Sequence, residues 1–273
     1  MTYSAEAADG KKVVVRACSM PGVEDRIRHE LEFLRFVAKQ ECSVCGPVEP
    51  GFAVSEDGST SVTVTEWAQG EPVPWLELKW ATDEKQVRAQ ARWLRELHAA
   101  SRKFEAENPA VATKVQNWDT LHDGILKGCA TPEAPQDASN FGCIHGDLNP
   151  SNFFLKANGD LSVFDFDQVH RNWFLFDLAQ ALFGVFMLVR CGFPMAPAST
   201  PAPGIDYERY LGWFVDEYDP KLNQEWLSQA LKLKIDFYER FCRRAVKEGN
   251  MPADMKPFIE WCVKQFDENK LNI

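Results

Sequence analysis

What the sequence lacks narrows its class first. It has no excess of positive charge: 40 acidic residues against 30 basic ones leave a net charge of −10 at pH 7. Nucleic-acid binders usually carry a basic footprint, so that class is set aside. The balance favours neutral or cationic ligands over polyanions. The sequence also lacks an uninterrupted apolar run long enough for a bilayer. The best one, FLFDLAQALFGVFMLV at 174–189, is short and carries Asp177 and Gln180. It reads as a buried core helix, so no membrane partner is expected. No signal peptide opens the chain, and its eight cysteines are expected as free thiols in a reducing cytoplasm. Cys42 and Cys45 form a lone C-x-x-C with no second pair, a weak zinc signal. Internal repeats are absent. With 45% hydrophobic and 26% charged residues, the composition is that of an ordinary globular protein.

The first seventy residues read as strand, strand, helix, strand, strand. Tyr3–Ala7 is followed by an Asp9-Gly10 turn and the β-branched run Val13–Val15. Ile27, Leu31, Leu34 and Val37 then recur at helical spacing. FAVS and SVTVTEW flank a second turn at Asp57-Gly58. EWAQGEPVP at 66–74 breaks the pattern and reads as a connector, and beyond it the chain turns mostly helical. The expected architecture is α+β with two lobes: a small antiparallel-sheet lobe over 1–68 and a larger helical lobe over 69–273.

The helical lobe carries CIHGDLNPSN at 143–152, followed by FFLKANGDLSVFDFDQ. Turn residues surround a His, an Asp and an Asn, which suits a functional loop. Asn158-Gly159 is a two-residue hairpin signal. With that pair as the loop, Ala157 faces Asp160 and Asn152 faces Asp165. Facing Cβ atoms lie roughly 4.5–5.5 Å apart, so an amide oxygen and a carboxylate there can share a divalent cation. Asp147 approaches the same hairpin mouth and is free to accept a hydroxyl proton. Such a set suits phosphoryl transfer.

HGDLNPSN followed by FDFD resembles the catalytic and metal-binding loops of the protein-kinase-like superfamily. It is closest to the aminoglycoside phosphotransferase and choline kinase branch, which has HGD in place of HRD. The resemblance implies ATP and Mg²⁺ as cofactors. It implies Asp147 as catalytic base, Asn152 and Asp165 as metal ligands, and His145 as a structural residue of the loop. Asp167 becomes a further ligand or a substrate contact. WFLFDLAQALF resembles the following helix, in which Asp177 braces the loop. The hinge residues Glu66, Trp67 and Ala68 would offer backbone groups to adenine. Arg16 ends the strand VVVRA, and Glu30 falls on the apolar helix face. The two are expected to pair and to position phosphates, with Arg16 in place of the usual lysine.

One departure stands out. Only fifteen residues precede Arg16, and none resembles the glycine-rich loop of kinases. MTYSAEAADGKK supplies at most the second strand, so the lobe is expected to lack the first strand and its lid. The resulting expectation is a cytoplasmic ATP-dependent phosphotransferase. It moves a γ-phosphoryl group to a hydroxyl of a small molecule, with amine-bearing, cationic acceptors among the options. The alternative is a catalytically silent pseudokinase acting as a binding module. A weaker third reading, a metal-dependent hydrolase, requires His145 and Asp147 on the metal. Two further segments have open roles. The acidic, aromatic stretch 206–219 lines an acceptor pocket or forms a solvated helix with a packed stripe, and the Pro-rich segment 193–204 is a flap or a connector.

Overall fold

The valine-rich run after the first turn sets the first sheet. In the computed structural model, which describes residues 1–19, 23–197, 199–249 and 251–273, Thr2–Glu6 (β1) pairs antiparallel with Lys12–Cys18 (β2). Glu24–Val37 (α1) follows and buries Ile27, Leu31, Leu34 and Val37, as their spacing dictates. Pro47–Val54 (β3) and Ser61–Glu66 (β4) form the second hairpin. The sheet order is β1-β2-β4-β3, which leaves β1 at an edge.

The connector is more ordered than its composition suggests. Glu71–Pro72 (β5) pairs with Phe153–Leu155 of the motif hairpin. Gly70 makes this approach possible. Its φ is +97°, and a Cβ there would lie 2.3 Å from the Leu155 carbonyl oxygen. Lys79–Thr82 (α2), Glu84–Glu107 (α3) and Pro109–Ala112 (α4) follow. Asp83 caps α3 by accepting from the N–H groups of Lys85 and Gln86. Four short strands then build the motif region: Phe141–Ile144 (β6), Phe153–Leu155 (β7), Leu161–Val163 (β8) and His170–Trp173 (β9). The lobe ends with Phe174–Cys191 (α5), Tyr207–Tyr218 (α6), Gln224–Glu248 (α7) and Lys256–Asp267 (α8).

The core gathers around α5. By length and hydropathy this helix could cross a membrane, yet 13 of its 18 residues are buried against protein, chiefly α7. Asp177 and Gln180 interrupt its apolar surface and are themselves buried. They therefore require partners.

One sequence expectation is corrected by the fold. The motif hairpin pairs Phe153 with Val163 and Leu155 with Leu161, one residue out of the expected register. Its loop is three residues long. Lys156 and Asp160 close it, and Gly159 takes a φ of +88°. This is the three-residue loop with a left-handed third position, to which Asn-Gly lends itself as readily as to the two-residue turn. Asn152 therefore lies opposite Phe164, whose N–H donates to the Asn152 carbonyl at 3.0 Å. Asp165 stands one residue further out, in a left-handed conformation with φ +65°.

The acidic, aromatic stretch takes the packed-helix form of its two readings. It forms α6, which docks on α3. Tyr210 and Phe214 are fully buried in the core. Arg92 Nε donates to Glu217 at 3.1 Å, and Arg88 pairs with Asp216 at 3.3 Å. The acids thus answer a row of arginines on the neighbouring helix. The segment 193–204 includes Ala198, which lies outside the described residues. Among those described, Phe193 packs edge-on against Trp75.

Gly70 gives the fold a direct test. Gly70→Ala forces the connector away from β7 and should lower stability by roughly 2 kcal/mol or more, read as a fall in the thermal unfolding midpoint.

Candidate active site

A buried carboxylate organises the motif loop. Asp177, on the first turn of α5, accepts the His145 N–H at 2.9 Å and the Gly146 N–H at 2.8 Å. His98 Nε2 lies 3.2 Å from the same carboxylate, and His98 Nδ1 lies 2.8 Å from the Tyr218 hydroxyl. Burial would push the Asp177 carboxyl up, but the His98 bond and the loop N–H groups hold it below its ordinary value. His98 is fully buried and stacked on Phe174, which makes it a hydrogen-bonded core histidine. Gly146 adopts a φ of +82°, and a Cβ there would meet the Gln168 carbonyl at 2.5 Å.

Both ring nitrogens of His145 are engaged within the loop. Nε2 donates to the Phe164 carbonyl at 3.1 Å, and Nδ1 accepts the Asp147 N–H at 3.2 Å. Neither is offered to a metal, which removes the geometric basis of the hydrolase reading.

Above this brace, the Asp147 carboxylate is gripped from two sides. Asn152 Nδ2 donates to Oδ2 at 3.0 Å, and Gln180 Nε2 donates to Oδ1 at 3.0 Å. Burial raises the Asp147 pKa from its ordinary value, and the charge of Lys234 opposes the rise. The Asn152 amide points its nitrogen at Asp147, so its oxygen is left for another partner. The Gln180 amide oxygen is buried and unpartnered.

Arg16 departs from expectation. It does not pair with Glu30. Its Nη1 donates to Asp165 at 2.8 Å and its Nη2 to Asp167 at 2.6 Å. The two carboxylates converge on one point and repel each other, so a guanidinium between them is worth more than one carboxylate on the helix could supply. Burial and the Asp167 charge raise the Asp165 pKa, and Arg16 counters them. Glu30 remains on the wall of the same cleft with its carboxyl pushed up to about 8 by burial, the Asp167 charge adding to the rise. The charges of Arg16 and Arg26 oppose that rise without cancelling it.

Two cavities meet at this point. The first, about 490 Å³, lies between the sheet and the motif hairpin. Thr2, Tyr3 and Ser4 of β1 roof it, Arg16 and Glu30 line one side, and Glu66, Trp67 and Ala68 line the other. Lys12 Nζ sits 3.5 Å over the Trp67 ring. The second, about 850 Å³, opens on the helical side and holds Asp147, Asn152, Gln180 and Lys234. Asp165 lines both.

The donor set fits a hard divalent cation such as Mg²⁺. An amide oxygen and two carboxylates are all-oxygen ligands, and Arg16 already occupies the meeting point of Asp165 and Asp167 with positive charge. No cluster of three or more His, Cys, Asp or Glu side chains is arranged to hold a metal among the described residues. Cys42 and Cys45 of the C-x-x-C are buried free thiols.

Sequence reasoning reaches most of this set but misses Gln180 and Lys234. Each left a signal. Gln180 is a polar residue three positions after Asp177 in an apolar helix. Lys234 stands three and four residues after Leu231 and Ala230, on the buried face of α7.

A kinase-like two-lobed phosphotransferase fold is the class that this sheet, hinge and braced loop define. Residues 2–218 match the phosphotransferase enzyme family (APH), and the chain belongs to that family. It is similar to the amicoumacin kinase of Bacillus subtilis (strain 168), at 25% identity over 229 residues, covering 74% of this chain and 64% of that protein. Among solved structures it resembles an amicoumacin kinase in complex with AMP-PNP, Ca²⁺ and Ami (TM-score 0.72, 17% identity, 98% of this chain and 85% of that one). It also resembles a spectinomycin phosphotransferase in complex with ADP and spectinomycin (TM-score 0.63, 10% identity, 99% and 86%).

Glu30 carries a pH signature. Its carboxyl titrates near 8 in the fold against an ordinary value of 4.5. Between those values the folded chain keeps a proton that the unfolded chain has lost, so stability falls as pH rises through this window. Denaturant unfolding from pH 5 to pH 8 should show that decline, and Glu30→Gln should flatten it.

Proposed function

We propose that the chain is an ATP-dependent phosphotransferase that moves a γ-phosphoryl group to a hydroxyl of a small molecule. One observation carries the reading. A cleft of about 490 Å³ and a cavity of about 850 Å³ join at Asp165, with Asp147 on the cavity side of the junction. The two spaces suit a nucleotide and an acceptor brought end to end.

In this reading the nucleotide enters beneath β1. Glu66, Trp67 and Ala68 supply the hinge backbone for the adenine, and Arg16, beside Glu30, faces the phosphates. Asn152 and Asp165, with Asp167 adjacent, are the residues that would hold Mg²⁺, which supplies charge neutralisation on the phosphates. Asp147 is the base. Gln180 and Asn152 fix its carboxylate so that one orientation is presented to an incoming hydroxyl, and its raised pKa sharpens its ability to take the proton. Asp177 and His145 keep the loop in place. The domain assignment follows: residues 1–68 bind nucleotide, and residues 69–273 carry the base and the acceptor cavity.

The pseudokinase alternative predicts nucleotide binding without turnover, and two variants separate the readings. Mg·ATP should raise the thermal midpoint of the wild-type chain, by an amount equivalent to about 2.7 kcal/mol at a hundredfold excess over the dissociation constant. Asp165→Ala should abolish the Mg²⁺-dependent part. Asp147→Asn should keep the shift yet lose roughly 10²–10⁴-fold in phosphoryl transfer. Turnover in Asp147→Asn equal to wild type would sink the assignment of the base.

A further inference from the structure

The acceptor cavity has a chemistry that its acidic rim conceals. Its walls combine aromatic and thioether side chains, among them Phe183, Phe237, Phe258 and Met187, with four aspartates, Asp147, Asp165, Asp167 and Asp254. Among the described residues lining it, Lys234 is the one cationic side chain. It is 4% exposed, and its Nζ lies 4.7 Å from the Phe237 ring centre and 5.2 Å from that of Phe176. Within the described residues it makes no hydrogen bond or ion pair; the two ring faces are its neighbours.

That placement is costly. An ammonium carries three donors, and burying it without acceptors is strongly unfavourable. Burial lowers the Lys234 pKa to about 8, while Asp147 and Asp177 oppose the drop. A methionine would fill the same space at no such expense. A cation with no acceptor among the described residues, facing a cavity beside Asp147, points to an acceptor atom that arrives with the ligand.

We propose that Lys234 recognises the acceptor substrate by binding its carboxylate or carbonyl oxygen, and that this substrate is a hydroxyl-bearing aromatic molecule. Its ring packs among the phenylalanines and methionines, its oxygen meets Lys234, and its hydroxyl reaches Asp147. The inference rests on the phosphotransferase reading and narrows its acceptor. An ammonium-bearing acceptor would be repelled by Lys234 and attracted by Asp147, Asp165, Asp167 and Asp254, which line the same cavity; in this proposal the Lys234 contact decides.

The test uses four probes: 3-phenyllactate, 3-phenyllactamide, phenylalaninol and kanamycin. Binding is measured by titration calorimetry on the wild-type chain and on Lys234→Met, with the Mg·ATP thermal shift run in parallel. Phenyllactate should bind the wild type in the millimolar range or better and lose roughly tenfold or more in Lys234→Met, the cost of a charge-assisted hydrogen bond. The variant should be at least as thermally stable as wild type, because a buried charge is gone. Phenyllactamide binding alongside phenyllactate identifies a carbonyl as sufficient, and phenyllactate binding alone identifies the carboxylate. Tighter binding of phenylalaninol or kanamycin to the wild type would overturn the proposal without recourse to the variant. So would unchanged phenyllactate affinity in Lys234→Met, or no binding of either oxygen probe. An intact Mg·ATP shift in those cases leaves the phosphotransferase reading standing, whereas its absence in the wild type removes that reading instead.

Discussion

The Asp177 carboxylate is the constraint on which the site depends. It is fully buried and acidic, yet held below its ordinary pKa, because two loop N–H groups and the His98 ring converge on it. A buried charge with no such donors would be intolerable, and a loop with no such acceptor would leave two backbone groups orphaned. Each therefore requires the other. The consequence runs outward. Once His145 and Gly146 are pinned, the His145 ring can bridge the Asp147 N–H and the Phe164 carbonyl. That ties the Asp147 loop to the strand end from which Asp165 and Asp167 emerge. The chain from α5 to the junction of the two cavities is thus one continuous set of hydrogen bonds.

A second tie crosses between the lobes. Arg16 rises from the small sheet and clasps Asp165 and Asp167. Both partners are substantially solvent-exposed, so the pair is screened and contributes modestly to stability. Its effect is on charge placement. It neutralises two carboxylates that would repel each other, and it holds the sheet over the cleft. The same guanidinium faces the space that phosphates would enter. Arginine can serve carboxylate and phosphate alike because both present paired oxygens to its planar donors.

Much of this was legible in the sequence, for identifiable reasons. The helical face of Ile27, Leu31, Leu34 and Val37 and the two N-lobe hairpins follow from local periodicity and turn chemistry. The HGD loop and Asp177 are legible because glycine at a left-handed position and an acid in an apolar helix are unusual choices that sequence displays directly. What failed was local ambiguity and long-range choice. Asn-Gly permits two loop lengths, and a single added residue moves Asp165 from facing Asn152 to one position beyond it. Arg16 had three acids within reach of its strand, and only the fold reveals that two of them converge. The acids of α6 left a binding surface and a packed helix both open, and the arginines of α3 opposite them favour the second.

Net charge is a poor guide to the interior of a cavity. A value of −10 describes the solvated surface, where much of the acidity is spent on helix faces such as α6. It says little about a cavity whose interior is set by which side chains a helix turns inward. The inner face of α7 continues from Leu227, Ala230 and Leu231 to Lys234 and Phe237, so a lysine occupies a position that packing would give to an apolar residue. Its aliphatic stem satisfies the helix and its ammonium does not. Local sequence rules are broken there without structural compensation, and such a break is expected where function rather than folding selects the residue. The brace at Asp177 and the cation at Lys234 contrast: the first charge is partnered by two loop N–H groups and His98, and the second has two aromatic rings beside it and no hydrogen bond among the described residues.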